Sequence, residues 1–335
     1  MPHGEHRYFQ DLASAVRITG DFRMLWNRDF NDLSLQACKG KVIEYGLSDA
    51  MSVVEHQMAM QSDLGFDFSR VAFQPIFETD GRLHGVEALM RFVGNAVQGS
   101  RNQQNSMERA VPRNHVSPET IFFRARESNW IMELDFYCRE QILQQSASAQ
   151  WKNRLFINVC PESLLSPHHS VGRTDGLVDA AGLRKEQIVL EITEETAIQN
   201  YELFARTISH YREQGYKIAI DDFGSGYAGL KMLASVQPDY LKIDRYFIQR
   251  IHREPVKYVI VESLVNICNK LGIKLIAEGI ETGLEFHSIL NLGIQYRQGF
   301  YFAEPSFELK SLEMDSCFQE ESVAEISQNG SLYHF

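Results

Sequence analysis

The fold is indicated first by residues 218–227, which read Ile218-Ala219-Ile220-Asp221-Asp222-Phe223-Gly224-Ser225-Gly226-Tyr227. The apolar start of this stretch is typical of a buried strand, in which successive side chains point to opposite faces. Because two adjacent carboxylates cannot both lie on a buried face, we expect the strand to end at the acid pair. Gly224 and Gly226 would then allow the positive φ angles of a turn. Taken alone, the pattern is also compatible with a solvated acidic loop, which is the less favoured interpretation.

The same arrangement of a short apolar segment and a polar residue recurs along the chain. The expected strands are 71–77, 86–92, 154–159, 188–193, 217–222, 240–244, 274–279 and 299–302. Segments such as 201–214 and 256–271 lie between them, with apolar residues at helical spacing. Alternation of strands and helices predicts a parallel sheet with helical crossovers. Its length, roughly 235 residues, is that of a single (β/α)8 barrel.

Such barrels carry their functional groups at the carboxyl ends of the strands. The polar residues on or just after the expected strands are Gln74, Glu87, Arg91, Asn158, Glu191, Glu194, Asp221, Asp222, Lys242, Asp244, Glu278 and Glu281, and Gln298 directly precedes the last strand. Converging carboxylates repel one another unless they are neutralised, most often by divalent metal ions. The pattern therefore predicts a metal site at one end of the barrel.

Composition limits the classes of protein that the chain can represent. The 335 residues are 44% hydrophobic and 23% charged, as in ordinary soluble globular proteins. The net charge of −11 argues against non-specific binding of DNA, RNA or an anionic membrane. The five cysteines are scattered without a CxxC pair, which is typical of reduced thiols. Since there is neither a signal-peptide pattern nor an apolar run of ~18 residues, we expect a cytoplasmic protein without a membrane span.

Three regions differ from the repeating pattern. Residues 1–66 form an N-terminal extension that we expect to be mainly helical and whose role the sequence does not reveal. Residues 94–114 are rich in Asn, Gln, Ser and Arg and are expected to form a flexible insertion. Residues 307–335 form a C-terminal tail. The expected barrel is therefore 67–306.

The quoted residues resemble a known family. Glu87-Ala88-Leu89-Met90-Arg91 is similar to the EALLR signature of the EAL-domain cyclic-di-GMP phosphodiesterases. Further family motifs follow in the same order: QPI at 74–76, NV at 158–159, EITE at 191–194, DDFGSGY at 221–227, LKID at 241–244, AEGIET at 277–282 and QG at 298–299. One departure is Asn129, which stands where the family usually has Gly. The resemblance implies an α/β fold, a modified TIM-type (β/α)8 barrel with its first strand antiparallel.

The resemblance also implies a reaction, the hydrolysis of cyclic-di-GMP to linear 5'-pGpG by water that two Mg²⁺ or Mn²⁺ ions activate. The implied metal ligands are Glu87, Asn158, Glu191, Asp221, Asp222 and Glu278, with Lys242 as electrostatic partner of the attacking water. The implied catalytic residues are Lys242, Glu278, Asp222 and Glu87. The implied substrate contacts are Gln74, Leu89, Arg91, Asp244, Gln298 and Pro305. Glu194 would anchor the 221–226 loop, and Glu281 would support the site. Oxygen ligands without a competing His or Cys cluster suit these ions.

Several alternatives remain at the level of sequence. Asn158 could cap a following helix, Lys242 could be a surface lysine paired with Asp244, and Glu281 fits a helix N-terminus. The competing function is a catalytically silent cyclic-di-GMP receptor that acts through a protein partner, although the complete acid set argues against it. The resemblance further implies a homodimer through the barrel, and residues 1–66 leave room for a regulatory protein partner.

Overall fold

The computed structural model describes residues 47–94, 115–160, 162–163, 173–193, 201–226 and 229–309. The chain divides into two compact units, residues 1–59 and 60–335. Most of the expected N-terminal extension, insertion and tail lies outside the described residues, and so does Glu194. Within the described ranges, no helix combines the length and the apolar character needed to cross a membrane.

Nine strands form one sheet that closes on itself. They are β1 (Phe68–Glu78), β2 (Leu83–Val93), β3 (His115–Val116), β4 (Arg154–Asn158), β5 (Ile188–Thr193), β6 (Lys217–Phe223), β7 (Tyr240–Ile243), β8 (Lys274–Ala277) and β9 (Tyr296–Arg297). The order β1-β9-β8-β7-β6-β5-β4-β2 is closed by pairing between β1 and β2, and β3 is added outside β2. Strand β1 runs antiparallel to both of its neighbours, whereas β2 and β4 to β9 are parallel. The predicted barrel with an antiparallel first strand is thus confirmed.

One helix precedes β1, and the others lie between strands and cover the outside of the barrel. They are α1 (Leu47–Leu64), α2 (Pro118–Glu127), α3 (Ile131–Ser148), α4 (Arg173–Ala180), α5 (Tyr201–Glu213), α6 (Gly229–Val236), α7 (Arg245–Ile248), α8 (Pro255–Leu271) and α9 (Gly283–Asn291). Helix α9 begins at a capping box, in which the Thr282 side chain accepts from Glu285 N–H and Glu285 accepts from Thr282 N–H. Asn129, between α2 and α3, has a φ of 58°, which Asn tolerates better than most residues that replace Gly.

The strand expected at 299–302 is wrong. The last strand ends at Arg297, and residues 299–302 form a turn. In that turn the amide of Phe302 donates to the carbonyl of Gly299, and the amide of Tyr301 donates to the carbonyl of Ile280. The backbone amides therefore bond within the turn and to the loop after β8 and do not extend the sheet. Aromatic residues misled the prediction, since they are common both in strands and in such packed turns.

The half of the barrel interior at the amino-terminal ends of the parallel strands is filled with side chains. One inward-facing residue from each of seven strands contributes to this layer: Ile76, Phe156, Val189, Ala219, Tyr240, Ile276 and Tyr296. His84 of β2 completes it, with its ring centroid 4.3 Å from that of Tyr296 and its Nε2 3.0 Å from the hydroxyl of Tyr240. Because this layer closes the amino-terminal end of the parallel strands, a site can open only at their carboxyl ends.

The buried His84 gives a pH-dependent prediction. Burial lowers the pKa of His84, although the hydrogen bond to Glu78 opposes the shift. The other groups that act on it are Tyr240, Tyr296, Lys274 and Arg154. As the pH falls below about 6.5, the pKa of His84 in the unfolded chain, the unfolded chain takes up a proton before the folded protein does. The free energy of unfolding therefore decreases until the pH passes the lower pKa of His84 in the folded protein. Thermal unfolding of wild type and His84→Gln at pH 7.5 and 5.5 should show a smaller pH-dependent loss in the variant.

The same substitution at the exposed His210 on α5 provides the control. It should leave the pH-dependent loss as in wild type. An equal loss in all three proteins would show that His84 does not contribute to the acid sensitivity.

Candidate active site

Four strands bring acidic side chains to the open end of the barrel. Glu87 lies on β2, Glu191 on β5 and Asp221 on β6, while Glu278 directly follows β8. Oxygens of Glu87, Glu191 and Asp221 all lie within 4.8 Å of one another, and so do oxygens of Asp221, Asp222 and Glu278. Asp221 is therefore shared by two groups of three carboxylates, which we call the first triad and the second triad.

A bulge in β6 lets both adjacent acids reach this end. The register between β6 and β7 shifts between Ile220 and Phe223, and Asp222 has a φ of 52°. This left-handed conformation interrupts the alternation of a regular strand, so Asp222 turns outward to an exposed position beside the buried Asp221. The strand expected at 217–222 is one residue longer: β6 continues through Phe223 and places the acids on an irregularity.

Lys242 lies in the middle of the carboxylates. Its Nζ is 2.7 Å from Glu191 Oε1, 2.7 Å from Glu278 Oε1, 2.9 Å from Asp221 Oδ1 and 3.2 Å from Glu87 Oε2. The side chain is only 1% exposed, which rules out the alternative of a surface lysine paired with Asp244. The ammonium thus joins the two triads electrostatically.

The charges of the site do not balance within the described residues. Burial raises the pKa of Glu191 and of Glu278 well above the usual range of a carboxyl group. The side chain of Asp222 is exposed, but the surrounding protein partly desolvates its carboxyl group; this desolvation, followed by the charge of Asp221, raises the pKa of Asp222 to about 6. Burial opposes the charge of Lys242, but the surrounding carboxylates outweigh it and raise its pKa well above the ordinary value. When all are ionised, five carboxylates face one ammonium, and the excess equals the charge of two divalent cations.

The donor set fits hard divalent cations. Oε1 of Glu191 faces the ammonium of Lys242 at 2.7 Å, whereas its Oε2 is buried without a hydrogen-bond partner. A buried carboxylate oxygen without a hydrogen-bond partner is costly unless a cation binds it. Within the described part of the chain, neither triad includes a His or Cys that would favour a softer metal. The two triads therefore suit hard divalent cations.

Amide side chains hold Glu87 in place. Gln298 Nε2 donates to Glu87 Oε2 at 2.7 Å and to Gln74 Oε1 at 3.1 Å. Asn158 Nδ2 lies 3.4 Å from Glu87 Oε1. Gln74 and Glu87 are cross-strand partners in the antiparallel β1–β2 pair, so the antiparallel first strand itself brings Gln74 to the site.

The remaining predicted residues lie around this centre. Arg91 and Leu89 are half-buried on β2, and burial lowers the pKa of Arg91 although Glu87 opposes the shift. Asp244 is the N-cap of α7 and accepts from the amide of Tyr246 at 2.8 Å. Glu281 pairs with Arg245 at 2.8 Å outside the two triads, and Pro305 is half-buried beyond β9.

Sequence reasoning missed a buried polar network behind Asn158. Asp135 Oδ1 on α3 accepts from the amide of Cys160 at 3.0 Å, and Oδ2 accepts from Ser163 and from the fully buried Arg139. This network holds the chain just after β4, two residues beyond Asn158. The available signal was an Asp and an Arg four residues apart on a mostly buried helix face, where charges occur only in pairs.

A closed barrel with two carboxylate triads around a buried lysine defines a class of protein, a (β/α)8 barrel with a candidate dinuclear metal centre. The family model of the EAL domain matches residues 59–305. The chain therefore belongs to the EAL domain family, and the resemblance found in the sequence motifs is confirmed.

Individual relatives differ in their described roles. The chain is 29% identical over 200 residues to the blue light- and temperature-regulated antirepressor BluF of Escherichia coli, which covers 59% of this chain and 50% of BluF. It is 29% identical over 238 residues to the probable cyclic di-GMP phosphodiesterase PdeG of Escherichia coli, which covers 70% of this chain and 44% of PdeG. The chain thus spans half or less of these curated relatives.

Solved structures agree with the fold. BlrP1 of Klebsiella pneumoniae in complex with manganese and cyclic-di-GMP is 33% identical to this chain. The superposition has a TM-score of 0.61 and covers 71% of this chain and 56% of BlrP1. The family-model match over residues 59–305 includes the barrel and both triads.

Proposed function

We propose that this chain is a metal-dependent phosphodiesterase that hydrolyses cyclic-di-GMP to linear 5'-pGpG and so lowers the level of this second messenger in bacterial signalling. The observation that carries the proposal is the pair of carboxylate triads that share Asp221 and enclose Lys242. The names of PdeG and of the BlrP1 complex support the same substrate.

The chain offers ligands for two Mg²⁺ or Mn²⁺ ions. Glu87, Glu191 and Asp221, joined by Asn158, would hold the first ion. Asp221, Asp222 and Glu278 would hold the second. When bound, such a pair of ions supplies an activated water and neutralises the charge that develops on the phosphate.

The protein side chains orient the reactants. Lys242 keeps its proton among the carboxylates, so it acts as a fixed positive charge beside the attacking water rather than as a proton acceptor. Gln298 and Gln74 fix the rotamer of Glu87. We assign Arg91 to a substrate phosphate and Leu89, Asp244 and Pro305 to the walls of the substrate cleft. Glu194 is assigned to anchoring the 221–226 loop, and Glu281 to supporting the site.

A receptor without turnover is the second candidate. BluF, a relative of similar identity, is named as an antirepressor and not as a phosphodiesterase, which favours this alternative. The complete acid set favours the enzyme, because a receptor does not need two carboxylate triads to bind the nucleotide. A homodimer through the barrel and a regulatory partner that binds residues 1–66 also belong to this proposal and fit either function.

One assay separates the two candidates. The full-length chain is incubated with cyclic-di-GMP in Mg²⁺, in Mn²⁺ and in chelator, and the products are resolved by chromatography. Metal-dependent formation of pGpG supports the enzyme. Tight binding of intact nucleotide without any product, with either metal, would contradict it and favour the receptor.

Calcium provides a further prediction about the metal. Ca²⁺ is larger than Mg²⁺ and accepts looser coordination at 2.3–2.6 Å rather than about 2.0–2.1 Å. With Ca²⁺ as the only metal we expect turnover to fall at least about 100-fold, because the reacting groups would be misplaced by a few tenths of an ångström. Binding of intact cyclic-di-GMP should persist and serves as the control. Equal rates with Ca²⁺ and Mg²⁺ would show that the site does not require tight octahedral geometry.

A further inference from the structure

The short helix α7 lies directly after β7, between the two loops that carry the outer ligands of the second triad. Asp222 opens the 222–226 loop at the end of β6, and Glu278 begins the loop after β8. Since β7 has β6 and β8 as its neighbours in the barrel, α7 stands between these two loops. Glu87 and Glu191 of the first triad lie on β2 and β5, strands that β7 does not border.

Phe247 of α7 is pressed against Gly224, two residues after Asp222. Gly224 has a φ of 100°, and a Cβ atom added there would lie 2.3 Å from Cε2 of the Phe247 ring. Only a glycine fits a contact this close in this conformation. The ring of Phe247 therefore limits how far the 222–226 loop can move toward β7.

Arg245, at the start of α7, makes the matching contact on the other side. Gly279, the residue after Glu278, has a φ of 64°, and a Cβ there would lie 2.6 Å from Cγ of Arg245. Arg245 also pairs with Glu281 at 2.8 Å, but their side chains are 56% and 38% exposed. Because exposed ion pairs contribute little, the packing of the Arg245 stem on Gly279 is the stronger constraint.

Helix α7 is itself fixed to the barrel. The side chain of Asp244 caps it, and the amide of Asp244 donates to the carbonyl of Phe223 at 3.3 Å. Ile248 at its end is fully buried. Helix α7 thus contacts both loops through Phe247 and Arg245, which belong to neither triad.

We propose that Phe247 and Arg245 are positioning residues that set the distance between Asp222 and Glu278, and thereby the affinity of the second metal position. The inference rests on the proposed function, since it assumes that the two triads hold metal ions. It goes further in assigning the geometry of one of the two positions to a helix of four residues that does not touch the ions.

The expected effect is selective. Partners outside the ligand shell typically change metal affinity by about 10–100-fold. Removing the Phe247 ring frees the 222–226 loop, so the second Mn²⁺ should bind about tenfold more weakly. Binding of the first Mn²⁺ at Glu87, Glu191 and Asp221 should change little.

Calorimetric titration of the full-length chain with Mn²⁺ tests this proposal. The test variants are Phe247→Leu and Arg245→Ala. A third variant, Arg245→Met, keeps the aliphatic stem but loses the ion pair, and it therefore separates the packing contact from the charge. Phe122→Leu is the matched control, because Phe122 on α2 is a half-buried core phenylalanine remote from both loops. Thermal unfolding shows which variants are folded, and Arg245→Ala, at an exposed position, keeps the test available if Phe247→Leu unfolds.

The outcomes separate the inference from the proposed function. The inference is supported if wild type binds two Mn²⁺ ions and only the affinity for the second ion falls in Phe247→Leu and in Arg245→Ala. In Phe122→Leu and Arg245→Met, the affinities for both ions should remain as in wild type. Wild-type binding of both ions in Phe247→Leu and Arg245→Ala would overturn it and leave the proposed function intact. Equal weakening of both ions would also overturn it, because the helix would then act on overall stability. Absence of Mn²⁺ binding in wild type would overturn the proposed function together with the inference.

Discussion

Replacing Asp221 with asparagine should abolish hydrolysis of cyclic-di-GMP. Asp221 is the one carboxylate that belongs to both triads, so the substitution removes a ligand charge from both metal positions while it keeps the shape of the side chain. Loss of a residue that only supports a metal ligand already lowers metal affinity or activity by about 10–100-fold. Loss of a shared ligand should therefore lower kcat by more than about 100-fold. The measurement is the steady-state rate of pGpG formation in saturating Mn²⁺.

Asp239→Asn is the matched control for this prediction. Asp239 lies at the opposite end of the barrel, where it accepts from Lys217 Nζ at 2.9 Å and from the amide of Ile218. The same change of Asp to Asn there should leave kcat within about twofold, because the site is untouched and distant substitutions act independently. A rate near that of wild type in Asp221→Asn would refute the assignment of Asp221 as a shared ligand.

Replacing Lys242 with methionine should destabilise the metal-free protein strongly. The ammonium is the cation within reach of Glu87, Glu191, Asp221 and Glu278. Removing one partner of a buried charged group typically costs about 3–5 kcal/mol, and proton uptake by the carboxylates limits the loss toward the lower figure. We therefore expect the free energy of unfolding in chelator, measured with urea, to fall by about 3 kcal/mol.

Metal ions should reverse much of this loss. Mn²⁺ at saturating concentration stabilises the folded state that binds it, so the difference between Lys242→Met and wild type should become smaller. Turnover should nevertheless stay low, since the fixed charge beside the attacking water is missing. Lys217→Met, which removes a 40% exposed lysine paired with Asp239, should cost no more than about 1 kcal/mol in either condition. An equally small cost for both variants would show that Lys242 does not neutralise the acids.

The sequence was sufficient for the architecture of the barrel because its signal is repeated. Acids that follow apolar segments, such as Glu191 and Asp221, recur at similar intervals, and each repeat supports the others. The last strand was misplaced because it is only two residues long, Tyr296–Arg297, and the more apolar run after it forms a turn. A strand this short is defined by its neighbours in the ring rather than by its own periodicity.

Within the site, the sequence could predict the residue types but not their relative positions. The apolar and polar pattern alone does not distinguish a surface lysine from Lys242. Only the family resemblance pointed to its role, and its burial among four carboxylates from different strands is a property of the fold. The left-handed conformation of Asp222 was also unpredictable, since it results from the register shift between β6 and β7. The contact of Phe247 with Gly224 likewise exists only in the folded chain.

The antiparallel first strand has a consequence for biosynthesis. Strands β1 and β2 form a hairpin of neighbouring segments that can pair early, but β1 finds its second partner only at Arg297, and Phe73 pairs with Ser306. Until the ribosome has released these late residues, the nascent sheet exposes two open edges, which are prone to pair with other chains. Ring closure is also the step that brings Gln298 to Gln74 and Glu87. Assembly of the reaction centre is therefore delayed until nearly the whole barrel has been translated.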